Sequence, residues 1–331
     1  MLLLPTCTQA ADPAINHVAL ITAGKADTPG WDEQGAAGLK SLASDQMTVT
    51  IIDDAGTDDP TNKLGDLQAD GAQLIICHDP AYATACADFS ANKTIPVVVF
   101  GSQTLNRPNL VSTIAINPEK VAYLAGLAAA HTTRTGTVAV IASGDDTYWN
   151  LMTVGFAEGL KAGNGSAKLN WIVLESNPDD LAKDAKAAAK DQLKAGADVI
   201  FALTGPGTEG VLTAIEEHNK DHKDDPAWLI DAIANRNGDE SATVLTSVLF
   251  DFAPIYRQMV ADLGTRTFGK TYTMDGQNDT VRLRNLPDTA SDATRAAIAD
   301  GESKIKAGLL PVDAVTEMDG VRSKLEELGY R

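Results

Sequence analysis

The chain of 331 residues is long enough for two α/β domains of roughly 150 residues each. Its 44% hydrophobic and 22% charged residues are typical of a packed globular protein rather than of a disordered one. Acidic residues number 45 against 27 basic ones, and the formal net charge of -18 disfavours binding to nucleic acid or to a large polyanionic ligand, because like charges repel.

The first 14 residues combine a short apolar stretch with small residues and resemble the end of a secretory signal. Residues 4–7 partly fit a lipobox, in which Cys7 would carry a lipid anchor, whereas a signal peptidase would alternatively cut before Ala11. Both alternatives predict an exported protein, periplasmic or lipid-anchored to the outer face of the cell membrane. Membrane contact is expected only through Cys7, since no later segment offers the roughly 20 uninterrupted apolar residues of a membrane-spanning helix.

Short apolar runs then alternate with helical patterns, which is typical of repeated βαβ units and a parallel sheet. Strands are predicted at 17–22, 49–52, 73–77 and 96–100, and helices at 31–43, 61–69 and 81–92. These strands are apolar throughout rather than alternating, as expected where helices cover both faces of a sheet. The pattern predicts a first doubly wound sheet.

A second set of alternating elements follows. Strands are predicted at 111–116, 137–142, 171–174, 198–203 and 228–231, and helices at 118–132, 150–162, 179–195 and 208–219. Pro118 opens one of these helices, and Gly136 and Gly196 stand where helices are expected to have ended. These elements predict a second doubly wound parallel sheet.

The last third of the chain is too sparse for a third domain, with strands predicted at 244–248 and 280–283 and helices at 253–263 and 290–307. We therefore expect it to complete the two sheets. The predicted N-terminal lobe is 15–116 plus 244–284, the C-terminal lobe is 117–243 plus 285–312, and 313–331 is a C-terminal tail. Three crossovers near residues 116, 243 and 284 would then form a hinge.

The loops after the strands are the expected binding region, because open parallel sheets bind ligands beyond the carboxyl ends of their strands. Trp31 and Trp149 each open a predicted helix just after such a loop, and Tyr148 precedes the second of them. Two such rings on opposite lobes would clamp a planar ligand between them. Alternatively, each tryptophan packs under its own helix, which is the commoner use of an aromatic residue.

Acidic and glycine residues complete the predicted site. Asp27, Asp32, Asp79 and Asp231 are candidates to accept hydrogen bonds from ring nitrogens or sugar hydroxyls. Asp32 fits a helix N-cap equally well, whereas Asp231 ends an apolar strand. Gly205 lies in a Gly-Pro-Gly loop, where the missing side chain lets a ligand approach the backbone.

Signatures of catalysis are missing from the sequence. It contains no Gly-x-Ser-x-Gly, His-Glu-x-x-His or Cys-x-x-Cys motif, so we predict no catalytic residue, metal or cofactor. A Cys77 nucleophile beside His78 would need an orienting third group, and an ordinary loop histidine explains His78 better. His218 and His222 have helical spacing but lie at a polar helix end, where we expect them to be solvated. Cys77 and Cys86 form a disulfide in an oxidising compartment or remain buried thiols.

Several segments in a fixed order resemble the basic membrane protein family of ABC-transporter lipoproteins, the purine nucleoside receptor group. The resemblance spans about residues 15–312 and is carried by segments 31–39, 123–129, 155–159, 196–201, 205–211, 245–249 and 307–312. It implies the fold of a type I periplasmic binding protein, with a nucleoside bound between the lobes.

By this resemblance, Trp31 stands where a phenylalanine usually stacks on the base, Asp32 where an asparagine contacts it, and Asp231 at an acid suited to ribose hydroxyls. The sequence departs from the family at Phe250, where a lysine is common, and after Asp231, where a second acid is usual. Another planar heterocycle would suit these departures.

The resemblance implies a monomeric solute-binding receptor of an ABC importer, whose partners are a nucleoside-like small molecule and an ABC permease. A ligand-sensing receptor or regulator of the same fold is the alternative. A nucleoside-processing enzyme is a third reading, since a fold alone does not exclude one.

Overall fold

The structure, a computed structural model, describes residues 14–236, 242–284 and 286–330. The candidate lipid-attachment residue Cys7 and the alternative cleavage site before Ala11 lie outside the described residues. The chain divides into two compact units. Unit 1 contains the described residues up to Ala23, Leu39–Ile114 and Ala253–Tyr272, and unit 2 contains Gly24–Gly38, Ala115–Phe252 and the described residues from Thr273 onward.

Parallel strands and the helices between them form both units. The strands are β1 (His17–Ile21), β2 (Thr48–Ile52), β3 (Leu74–Cys77), β4 (Val97–Phe100), β5 (Val111–Asn117), β6 (Thr137–Ser143), β7 (Lys168–Leu174), β8 (Val199–Leu203), β9 (Trp228–Ile233), β10 (Val244–Phe250), β11 (Thr271–Asp275) and β12 (Val281–Leu283). The α-helices are α1 (Trp31–Lys40), α2 (Thr61–Ala69), α3 (Ala83–Lys93), α4 (Glu119–Thr132), α5 (Thr147–Gly163), α6 (Leu181–Lys194), α7 (Thr208–Asp221), α8 (Ala253–Gly264), α9 (Asp292–Lys306) and α10 (Met318–Glu327).

The first sheet has the order β11-β5-β4-β3-β1-β2. Strand β1 pairs in parallel with β2 and β3, and β3 and β4 continue the parallel ladder to β5. Every residue of β1, β3 and β4 is buried, because helices cover both faces of this sheet.

The second sheet has the order β12-β10-β9-β8-β6-β7, and only its edge strand β12 runs antiparallel to its neighbour. The prediction of two doubly wound parallel sheets is therefore confirmed. Among the described residues, no helix has the length and apolar character needed to cross a bilayer.

Helices α4 and α5 of unit 2 pack with almost no space between their backbones. A Cβ atom on Gly159 would lie 2.0 Å from the carbonyl oxygen of Tyr123, and one on Gly155 would lie 2.0 Å from that of Glu119. Only glycine allows this approach. The contact fixes α5, whose first turn carries Tyr148 and Trp149.

The structure corrects the predicted lobe boundaries in the last third of the chain. Residues 244–284 were expected in the N-terminal lobe, but β10 and β12 belong to the second sheet, and α8 lies in unit 1. The physical reason is that β10 is buried along its whole length between β9 and β12. The chain passes between units at 114/115, 252/253 and 272/273. In addition, the segment Gly24–Gly38, expected in the N-terminal lobe, belongs to unit 2, so Trp31 and Trp149 lie in the same unit rather than on opposite lobes.

Two elements were not predicted. Strand β11 was hidden by its polar residues, because as an edge strand it buries only alternate side chains. The tail predicted at 313–331 contains helix α10, which buries Val321 and Leu325. Two buried residues at helical spacing in a highly charged segment are a weak sequence signal.

Cys77 and Cys86 form a disulfide that joins the end of β3 to α3 in unit 1. This settles the alternative of free thiols and removes Cys77 as a nucleophile. The neighbouring His78 is fully buried, and its Nδ1 lies 3.1 Å from the hydroxyl of Tyr256. His78 is thus an internal structural residue.

Candidate ligand-binding site

A pocket of about 380 Å³ lies in unit 2, beyond the carboxyl ends of β8 and β9 and beside the start of α1. Its volume falls in the lower part of the range of small-molecule sites. The described residues that line it are Gly24, Lys25, Thr28, Pro29, Gly30, Trp31, Asp32, Trp149, Gly205, Pro206, Ala232, Ile233 and Ala234. Among these, one side chain is cationic and one is a carboxylate, so the lining favours a ligand without strong net charge.

Trp31 is the aromatic centre of this site. Its ring lies nearly parallel to that of Tyr148, with centroids 6.2 Å apart and planes inclined by 23°. Phe250 and Phe252 meet it at close to right angles, at 6.1 and 5.4 Å. Both phenylalanines are fully buried. Edge-to-face contacts of this kind hold an aromatic ring in one orientation, so the Trp31 indole is a preset flat surface.

The first turn of α5 supplies the other aromatic residues. Asp146 caps this helix, since its Oδ1 accepts hydrogen bonds from the backbone N–H groups of Tyr148 at 2.8 Å and Trp149 at 3.1 Å. The indole Nε1–H of Trp149 donates to Ser143 Oγ at 3.2 Å. Burial raises the pKa of Tyr148 to about 12, so its phenol stays neutral at physiological pH. The cap fixes the first turn of α5, and the indole hydrogen bond holds the Trp149 ring on the pocket wall. Tyr148 contacts Trp31 but does not itself line the pocket.

Asp32 shapes the loop that leads into α1. Its Oδ2 accepts a hydrogen bond from the backbone N–H of Gly24 at 3.1 Å. A Cβ on Gly24 would lie 2.6 Å from the same oxygen, so a larger residue here would displace the Asp32 carboxylate. The carboxylate thus holds the 24–30 loop, which provides five of the lining residues.

Gly205 occupies the position that the sequence predicted for it. It opens a 3₁₀ turn, Gly205–Gly207, between β8 and α7, with φ at +53°. This left-handed conformation favours glycine. Gly205 and Pro206 both line the pocket, so backbone is exposed to a ligand at this wall.

Two predicted acids are not among the residues that line the pocket of unit 2. Asp79 belongs to unit 1, where its Oδ1 accepts the N–H of Ala81 at 2.7 Å and caps the 3₁₀ turn Pro80–Tyr82. Asp27 is exposed. The neighbouring residues Lys25 and Thr28 line the pocket, but Asp27 itself does not. Asp27 is therefore not part of the pocket wall of unit 2. The predicted contact of Asp79 with a ligand stays a prediction, since Asp79 belongs to the other unit.

Asp231 is buried behind the pocket wall instead of lining it. Its carboxylate forms an ion pair with Arg236, which is likewise buried, and also accepts the backbone N–H of Ala232 at 2.7 Å. Burial opposes ionisation of Arg236, but Asp231 and Glu209 together raise the pKa of the guanidinium, which stays charged. The expected contact between Asp231 and ligand hydroxyls is thus replaced by an internal ion pair.

Sequence reasoning missed three contributors to the site. Phe250 and Phe252, which support Trp31, are distant from it in sequence, and no local pattern indicated the contact. Arg236 did have a local signal, because a basic residue follows Asp231 by five positions just after a strand.

Metal binding has no support within the described part of the chain. In residues 14–236, 242–284 and 286–330 no three His, Cys, Asp or Glu side chains form a group suited to a metal ion. His218 and His222 stack with ring centroids 3.9 Å apart, and Nδ1 of His222 lies 2.8 Å from the carbonyl oxygen of His218.

Comparison with known proteins gives a family match over most of the chain. A family model described as "ABC transporter substrate-binding protein PnrA-like" matches residues 15–315. Basic membrane protein D of Borreliella burgdorferi (strain JD1) is 26% identical over 213 residues. That alignment covers 62% of this chain and 60% of the length of the relative.

Solved structures share the fold. An ABC transporter solute-binding protein from Conexibacter woesei DSM 14684 superposes with a TM-score of 0.75 at 18% identity, covering 91% of this chain and all of that one (100%). A transcriptional activator of the comK gene from Bacillus halodurans superposes with a TM-score of 0.75 at 21% identity, covering 89% of this chain and 100% of that one. At these identities the likeness concerns the fold alone.

Proposed function

The chain belongs to the PnrA-like family of ABC transporter substrate-binding proteins, and from this premise we propose that it captures a small planar ligand, a nucleoside or related heterocycle, in the pocket of unit 2. The family is one of binding proteins, not of enzymes. The captured ligand is delivered unchanged to an ABC permease.

The observation that carries the ligand class is the aromatic surface of Trp31. The indole lies on the pocket wall, is held by edge-to-face contacts with Phe250 and Phe252, and shares the pocket with Trp149. Flat ligands gain stacking energy on such rings in addition to the burial of apolar area. A preset ring also loses little side-chain entropy on binding.

Polar recognition comes from a few groups around this surface. The carboxylate of Asp32 lies on the wall beside Trp31 and accepts ring N–H groups. Backbone groups at Gly30 and Gly205 are accessible because neither residue has a side chain. Small numbers of fixed polar groups in a mostly apolar lining are typical of sites that orient one ligand.

Export is the second part of the proposal. The Cys77–Cys86 disulfide supports an oxidising compartment, since such bonds are rare in reducing cytosol. We place the protein outside the cytoplasmic membrane, as a monomer that is free or held by a lipid on Cys7.

The deciding experiment is a thermal-shift screen of purified protein against nucleosides, free bases and sugars, followed by calorimetric titration of each hit. A ligand at a hundredfold excess over its Kd stabilises the folded state by about 2.7 kcal/mol, which such a screen detects. Stabilisation by purine or pyrimidine compounds, with recovery of unchanged ligand, supports the proposal. Stabilisation by sugars alone, or conversion of the ligand to a product, contradicts it.

A sensing role without uptake is the second candidate, favoured by the shared fold of the Bacillus halodurans activator. Transport of labelled ligand in cells that do and do not express the protein separates the two roles. Uptake that is unchanged when the gene is deleted favours sensing.

A further inference from the structure

The wall of the pocket contains a strained turn at the end of β9. Ile233 has φ at +74°, and the N–H of Ala234 donates to the carbonyl of Ala232 at 3.0 Å, which closes a three-residue γ-turn around Ile233. A β-branched residue is an outlier in this region, and γ-turns with positive φ are rare and strained. All three residues line the pocket. The strain therefore lies in a surface that a ligand contacts.

A buried ion pair spans this turn. Asp231 precedes it and Arg236 follows it, and their side chains are 1% and 2% exposed. One carboxylate oxygen of Asp231 accepts the guanidinium Nε–H of Arg236, and the other accepts the N–H of Ala232 inside the turn. Separating such a pair leaves uncompensated charge in the interior, which is strongly unfavourable. The pair thus opposes any relaxation that would straighten the turn.

The same arginine reaches a second wall of the pocket. Its Nη1 lies 2.9 Å from Oε1 of Glu209 in the first turn of α7. That turn directly follows Gly205–Gly207, which exposes Gly205 and Pro206 to the pocket. Arg236 therefore joins the wall formed by 232–234 to the wall formed by 205 and 206.

We propose that Asp231, Arg236 and Glu209 form a bracket that presets the shape of the pocket, by holding the strained Ile233 turn against the 205–207 loop. The three are positioning residues, because they act on a ligand through the wall. This assigns Asp231 a role different from contact with ligand hydroxyls. Only the binding measurement below rests on the proposed function; the other two measurements need no ligand.

The strain is tested by comparing Ile233→Ala with Ile233→Gly. Alanine keeps only Cβ and glycine removes it as well, so the difference between the two variants reports mainly on the backbone conformation at position 233. At ordinary strand positions alanine is the more stable of the two, whereas at positive φ glycine is. We expect Ile233→Gly to melt about 2 °C or more above Ile233→Ala. The matched control is Ile172 on β7, where the order is expected to reverse. A glycine variant that melts below the alanine variant at both positions overturns the strained turn.

The bracket is tested by hydrogen exchange without ligand. Glu209 is half exposed, so Glu209→Gln is expected to fold normally, and Arg236→Lys keeps the charge but loses the planar fork. Both should speed exchange in peptides covering 205–210 and 232–236. Glu217→Gln, on the same helix and also removing an ion-paired carboxylate, should leave both peptides unchanged. Unchanged exchange of 232–236 in Glu209→Gln and Arg236→Lys overturns the bracket.

The functional consequence is tested with adenosine as the probe. Calorimetric titration should show at least threefold weaker binding to Glu209→Gln and binding within twofold of wild type to Glu217→Gln. Faster exchange with unchanged affinity overturns the positioning role. If wild-type protein does not bind adenosine, the ligand class proposed above fails for that probe, while melting and exchange still decide the bracket.

Discussion

Replacement of Trp31 by alanine is the most direct test of the aromatic surface. The expected loss of binding free energy follows from the area that the ligand would cover. Burial of one face of the indole, about 60 Å², at about 25 cal/mol per Å² contributes roughly 1.5 kcal/mol to binding. Stacking adds about 0.5–1.5 kcal/mol. The sum of about 2–3 kcal/mol corresponds to a decrease in affinity of roughly 30-fold to 150-fold.

The assay is calorimetric titration of the tightest ligand from the nucleoside screen. Trp31→Phe keeps a flat ring, so its affinity for the ligand should fall by less than tenfold. Trp171→Ala on the edge strand β7 is the control, since Trp171 is half-buried in the same unit but does not line the pocket. Affinity of Trp31→Ala within threefold of wild type, in a protein that still melts cooperatively, would remove the indole from the binding surface.

Three further predictions concern stability. The Cys77–Cys86 disulfide joins residues 9 positions apart in the sequence. Its reduction should lower the free energy of unfolding, measured by guanidinium titration, by roughly 2–3 kcal/mol. The stability of a Cys77→Ser, Cys86→Ser double variant should not change when reductant is added. Gly159→Ala should cost about 1–3 kcal/mol because its Cβ would strike the Tyr123 carbonyl, whereas Gly165→Ala, whose Cβ would meet only the Lys161 carbonyl oxygen at an ordinary contact distance of 3.8 Å, should melt like wild type. Lys186 and Lys190 hold the pKa of Glu217 at about 2, below its ordinary 4.5, so the stabilisation by this carboxylate is present above pH 4.5 and is lost as the pH falls towards 2. Melting points of Glu217→Gln and wild type should accordingly differ at pH 7 and converge in acid.

Much of the fold follows from local pattern because buried parallel strands are apolar throughout. Strands such as β1 and β3 were located within a residue of their ends, and α2 at both ends. The edge strand β11 was missed because burial of alternate residues leaves a polar sequence. The sheet to which β10 belongs was predicted wrongly, since sequence order does not specify which of two similar sheets a returning strand joins.

The site was predictable in residue type and less so in residue role. Trp31, Asp32, Trp149 and Gly205 follow strand ends and line one pocket, as the position of loops in parallel sheets predicts. An acid at a strand end has several possible partners, however. Asp79 caps a turn, and Asp231 pairs with Arg236, because a short carboxylate binds whichever donor its local backbone places nearest.

Some residues around the pocket line its wall, and others hold the lining residues in place. Trp31 is held by Phe250 and Phe252, Trp149 by Ser143, and the Ile233 turn by Asp231 and Arg236. In each case the residue that lines the pocket is positioned by a buried or half-buried residue that does not. A binding protein gains affinity by fixing its site before the ligand arrives, since the ordering cost is then met during folding. Substitutions in this supporting layer should therefore change affinity without changing which ligand is preferred, whereas substitutions at Trp31 or Asp32 should change the preference itself.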